Sequence, residues 1–197
     1  MTRMICAALT LVAATAFADS KKAEKKAAPS KDEMQKMMAE MEKAAAPGPE
    51  HKWLTDMAGT WATSSQFWME PGKPPMTTTG VEEVKPVLGG RFVEARFSGQ
   101  MMGKPFEGLG ISGYDNAKKK FTMTWMDSMG TMTIYAEGTG DQKQRVFSGE
   151  ESQPNGQKRA FRWVIKVESP NKHTMEMFAP GMDGKEMKEM EIVYTRK

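Results

Sequence analysis

Cysteine is almost missing. Among 197 residues the only one is Cys6, and it falls in a stretch expected to be removed. The mature chain should therefore carry no disulfide, no thiolate metal site and no cysteine nucleophile. Cys6 is also too early, and too deep in an apolar run, to be a lipid-anchored cysteine. Histidine is scarce as well, with His51 and His173 alone. No His-x-x-x-His spacing exists, so no metal site is expected. No serine or cysteine nucleophile motif accompanies His51, which reads as structural, and no catalytic residue is assigned. Excess charge of one sign is lacking: the net value is +3, too small to steer the chain onto nucleic acid. Long apolar runs are lacking too. Met4 to Ala14 is too short to span a bilayer, and nothing later is longer. No integral membrane segment is expected after processing.

What is present begins with targeting. Met1-Thr2-Arg3 is a short basic start, the apolar run follows, and Ala16-Phe17-Ala18 is a small-x-small cleavage site. The pattern is that of a secretory signal peptide over residues 1–18, cleaved after Ala18. It places the chain in the periplasm or outside the cell. Residues 19–30 are rich in Lys and Ala and read as a solvated linker. In residues 31–46 the period is helical. Met34, Met37, Met38 and Met41 form one stripe, and Ser30 with Glu33 makes a capping-box pattern. Pro47-Gly48-Pro49 ends that helix. Glu50–Met57 reads as a second, short helix, closed by Gly59.

From Thr60 the period changes to two. Strands are expected at Thr60–Met69, Thr77–Lys85, Arg91–Phe97, Phe106–Tyr114, Lys120–Asp127, Thr131–Gly138, Arg145–Glu151, Lys158–Glu168, Thr174–Phe178 and Met187–Thr195. Short turns separate them, so neighbours should pair antiparallel. A meander of that length is best relieved of its free edges by closure. The expected fold is all-β: an antiparallel up-and-down barrel of about ten strands over residues 49–197, preceded by the two helices. Alternation puts Phe161, Trp163, Ile165 and Val167 on one face, Phe121, Met123, Trp125 and Asp127 on another, and Met190, Ile192, Tyr194 and Arg196 on a third. These bulky faces should point inward. Glu94 and Arg96 share a face with Phe92, whose direction is open.

Gly59-Thr60-Trp61 opening the first strand and Tyr194-Thr195-Arg196 closing the last resemble the calycin arrangement of lipocalins and fatty-acid-binding proteins. That resemblance implies a tryptophan plugging one barrel end and an arginine stacked across it, here Trp61 and Arg196. Further pieces resemble the bacterial domain of unknown function 1579: Pro49-Glu50-His51-Lys52-Trp53-Leu54, Leu88-Gly89-Gly90-Arg91-Phe92, Pro105-Phe106-Glu107-Gly108, Gly113-Tyr114-Asp115 and Thr124 through Thr131. The resemblance runs from about residue 49 to the end. It implies a calycin-like barrel and supplies no catalytic residues. The nitrobindins, a related family, bind haem through a histidine. Neither histidine here sits mid-strand on an expected inner face, and no cofactor is expected.

Within such a barrel, Trp61, Trp125, Asp127, Trp163 and Tyr194 are the candidate cavity lining. The leading reading is an exported barrel binding a small, mainly apolar ligand. Alternatives are a hydrolase or isomerase using Asp127 as its acid–base group, and a methionine-rich protein that docks on a partner or binds copper. Against copper, Met123 and Met126 lie three apart on a strand and point to opposite faces. Asp127 could instead cap the turn Ser128-Met129-Gly130. The sequence carries no signal of oligomeric state.

Overall fold

The computed structural model describes residues 29–181 and 183–197. The expected signal peptide and nearly all of the 19–30 linker lie outside the described residues. The described residues fall into two units, divided between Met38 and Ala39. Helix α1, Lys31–Ala44, runs across that division. Its start is the capping box read from the sequence. Ser30 N donates to Glu33 Oε2 at 2.8 Å and Glu33 N donates to Ser30 Oγ at 3.3 Å. None of its residues is buried, and the four methionines of the stripe are exposed.

In the second unit, α2 (Pro49–Asp56) starts at a proline in the first helical turn, where a missing N–H costs nothing. Gly48 N donates to His51 Nδ1 at 3.0 Å. His51 is buried with its ring edge toward Tyr114, which gives it a structural place.

Ten strands follow: β1 Gly59–Phe67, β2 Met76–Val87, β3 Phe92–Met101, β4 Lys104–Asp115, β5 Lys120–Asp127, β6 Ile134–Gly140, β7 Gln144–Ser152, β8 Lys158–Ser169, β9 Lys172–Pro180 and β10 Glu186–Arg196. Each pairs antiparallel with its sequence neighbours, and β1 pairs with β10, closing the barrel. The seam register sets Trp61 opposite Arg196, Thr63 opposite Tyr194 and Ser65 opposite Ile192. Closure pairs every strand on both sides, so no ladder edge is left over.

The inner faces follow the alternation. Phe121, Phe147, Phe161, Trp163, Met175, Ile192 and Tyr194 are all buried. Several inward aromatic rings lie flat over a glycine of the next strand. A Cβ on Gly108 would sit 2.2 Å from the Trp125 ring, and one on Gly138 would sit 2.6 Å from that of Phe147. At Gly108 the missing side chain makes room for an indole. Glu94 and Arg96 face outward and pair at 2.6 Å, an ordinary surface contact of small worth.

Candidate functional site

The site is the barrel interior, and its floor is built first. Gly59 holds φ at +138°, where a Cβ would meet Arg196 Nη1 at 2.5 Å. A glycine there both makes the turn out of α2 and leaves space for the guanidinium. Trp61, two residues on, is 1 % exposed. Its Nε1 donates to the Met57 carbonyl at 2.9 Å. Arg196 lies over the indole with its Cζ 4.2 Å from the ring centroid. The same guanidinium donates to the carbonyls of Ala58 at 2.6 Å, Asp56 at 3.0 Å and Pro170 at 3.1 Å. One side chain thus ties the end of α2, the β8–β9 turn and the last strand together. A cation over an indole contributes about 0.5–2 kcal/mol.

A second arginine seals the other part of the floor. Arg145 is buried, with its guanidinium carbon 3.3 Å from the Trp53 ring centroid and 4.3 Å from that of Phe121. Its Nε and Nη1 find no hydrogen-bond partner. Burial pushes it down to about 10, against the pull of Asp141 and Glu50. It stays charged at neutral pH and is held by aromatic faces.

Above this floor lies a cavity of about 360 Å³, at the small end of the usual range for small-molecule sites. It runs from α2 to the opposite rim, where Gln100 and Met129 are exposed. Trp61, Trp125, Asp127, Trp163 and Tyr194 all line it, whereas Arg196, stacked on the Trp61 ring, does not. Met123, Met175, Met177 and Met190 add a compliant thioether surface, and Met126 stays off the lining. No cluster of three or more His, Cys, Asp or Glu suited to a metal occurs among the described residues.

His173, Thr63 and Glu82 also turn inward, and none of them was expected there from the sequence. His173 is the second residue of β9, buried and on the cavity wall. The strand starts two residues earlier than expected, so His173, read as lying just before it, falls at its beginning and on an inner face after all. Its ring stacks on Tyr194 at 4.3 Å and 12°, and meets Trp61 edge-on at 4.5 Å. Its Nδ1 has no partner. Burial, with Arg196 adding to it, pulls His173 down to about 4, so it is neutral at pH 7. Burial also raises the Tyr194 hydroxyl, and Glu82 reinforces that shift. Thr63 Oγ1 is buried nearby in the same seam without a partner.

Glu82 is the third group. It pairs across the ladder with Trp61 on one side and Phe97 on the other. It keeps some accessible surface, which borders the cavity, and is otherwise walled in by packed protein. Burial alone pushes its carboxyl from the ordinary 4.5 to about 7. The sequence does hold a signal for it. In Val81-Glu82-Glu83-Val84 two adjacent carboxylates sit on one strand, and the period of two must turn one of them inward.

Asp127 differs from Glu82. Trp125 Nε1 donates to its Oδ2 at 3.0 Å, and Met129 N donates to its Oδ1 at 2.9 Å. One oxygen orients an indole of the lining and the other caps the turn that follows β5. It therefore does both things that its position allowed, and both oxygens are engaged.

Residues 46–196 match the family described as protein of unknown function (DUF1579). The chain belongs to that family. The match covers both the barrel and α2, and no curated protein matches the sequence. Among solved structures, the DUF1579 barrel is similar to Rv2717c from M. tuberculosis, at 12 % identity and a TM-score of 0.56, over 77 % of this chain and 99 % of that one. That similarity is one of fold. A de novo designed fluorescence-activating beta barrel is 19 % identical, with a TM-score of 0.42, over 71 % of this chain and 93 % of the design.

Proposed function

We propose that this DUF1579 barrel is an exported carrier or receptor that holds one small, mainly apolar molecule in its interior. The observation that carries this reading is the cavity of about 360 Å³, walled by Trp61, Trp125, Trp163 and methionines, with only a few polar groups converging on it. That mix is the common one for small-molecule sites. A barrel filled by its own side chains would have no such space. Trp61, Trp125, Trp163 and Tyr194 supply contact area, and Asp127 orients Trp125 at the rim side. Export rests on the signal peptide ending at Ala18 and belongs to the same proposal. Catalysis by Asp127 draws no support from its geometry, because the turn amide and an indole N–H occupy both oxygens.

Native mass spectrometry of the mature protein, purified from its own export compartment, tests the reading. An organic molecule at one per chain, released on denaturation, is the expected result. Copper at fixed stoichiometry, with no organic molecule, would overturn it in favour of a metal-handling role for the methionines.

A further inference from the structure

We propose that the ligand of this cavity is an amphiphilic amine, its ammonium group seated on Glu82 and its apolar body lying among the tryptophans and methionines of the wall. The inference rests on the reading of the barrel interior as a ligand site and names the chemistry of its guest.

Many of the other carboxylates of this chain are matched to cations on the outer face: Glu83 with Lys85 at 2.9 Å, Glu94 with Arg96 at 2.6 Å, Glu176 with Lys166 at 2.6 Å. Glu82 faces the other way. Among the described residues no ion pair and no hydrogen bond reaches its carboxyl group. The buried cations nearest the interior are committed elsewhere. Arg145 is held between Trp53 and Phe121, and Arg196 donates to three backbone carbonyls behind Trp61. His173 is neutral at pH 7. The protein thus builds a walled-in carboxyl at the edge of an apolar cavity and gives it no counter-charge.

An unpaired buried carboxylate is unfavourable, and a partner of opposite charge with hydrogen-bond donors removes most of that penalty. A guest ammonium supplies both. An alcohol of the same length supplies one neutral hydrogen bond, and a guest carboxylate adds repulsion. The surroundings favour a cation further. Trp61 lies beside Glu82 in the ladder, and Tyr194 is close enough for Glu82 to raise its hydroxyl. Aromatic faces attract ammonium groups. The carboxyl itself, poised near neutrality by burial, ionises readily once an ammonium arrives.

The test is isothermal titration of the wild-type chain at neutral pH with n-hexylamine, n-hexanol and hexanoate, three probes of one chain length. Hexylamine should bind about tenfold or more tighter than hexanol, the scale of a charge-assisted hydrogen bond over a neutral one. Hexanoate should be weakest. In Glu82→Gln the amine-to-alcohol ratio should fall toward unity. Glu82→Asp, which withdraws the carboxylate by one methylene, should lower it part-way and serves if the glutamine variant does not fold. Hexanol binding as tightly as hexylamine, hexanoate binding tightest, or a ratio unmoved in the variants would each overturn the amine inference and leave the ligand-carrier reading standing. If none of the three bound at millimolar concentration, the carrier reading would fall, and the amine inference with it.

Discussion

At the residue scale the β1–β10 seam is anchored where Trp61 faces Arg196. Trp61 is fully enclosed, donates one hydrogen bond and lies under a guanidinium. Trp61→Ala should cost about 3–5 kcal/mol, as large aromatic truncations in cores do, measured by urea denaturation. A loss below about 1 kcal/mol would show that the indole does not close the barrel. Glu82 and His173 make a second prediction, because burial moves them in opposite senses. Native Glu82 titrates at about 7 instead of 4.5. Between those values the native state binds a proton that the unfolded chain has lost, so its contribution falls as pH rises. Native His173 titrates at about 4 instead of 6.5. There the unfolded chain binds the extra proton, so stability rises with pH over that window. The two slopes nearly cancel between 4.5 and 6.5. Glu82→Gln should therefore leave stability little changed near pH 4.5 and raise it by about 1–3 kcal/mol near pH 8. It should also uncover a rise with pH that the wild type hides. Urea midpoints across pH decide it: a constant gap between variant and wild type would show that Glu82 is not buried as a proton-holding carboxyl.

At the scale of elements, glycine placement and strand facing act together. On β4, Gly108 lies under the Trp125 ring of β5. Gly108→Ala should lose about 1–3 kcal/mol by overpacking and should shift the tryptophan emission, as Trp125 is pushed off Asp127. An unchanged spectrum with unchanged stability would mean that the ring has room to move. Much of this level was legible in the sequence. A period of two and short turns sufficed for ten strands, and Phe121, Met123, Trp125 and Asp127 fall on one face because a strand has only two. Strand ends were less legible. β3 runs on to Met101 and β9 begins at Lys172, because ladder hydrogen bonds continue where side-chain alternation has faded. That difference of two residues at the start of β9 hid His173. Glu82 was hidden for another reason: a charged residue in a half-buried strand is expected to face water, and only its neighbour Glu83 does so here. The methionine stripe of α1 was read correctly as one face, but nothing in a stripe says what covers it, and α1 buries none of its residues.

At the scale of the whole molecule, the barrel is closed by the pairing of its first strand with its last, so its integrity depends on residues almost a full domain apart in sequence. Closing that seam brings together β1 and β10, and loop closure over such a separation is entropically costly. The seam must therefore be strong where it starts, and the rows Trp61–Arg196, Ala62–Thr195 and Thr63–Tyr194 are where the arginine bonds to three carbonyls and the Tyr194–His173 stack lies. Removing residues 194–197 deletes those rows, uncovers Trp61 and leaves stretches of β1 and β9 with unpaired N–H and C=O groups. Unpaired edges of that kind recruit other chains. The truncated protein should unfold less cooperatively and associate in a concentration-dependent way, read by light scattering coupled to gel filtration. Arg196→Ala keeps the ladder and removes only the side chain, so it should be destabilised yet remain in the wild-type assembly state. A truncated chain that kept that state and unfolded in one sharp transition would show that the strands already paired through β10 at Val193 are enough to hold the barrel shut.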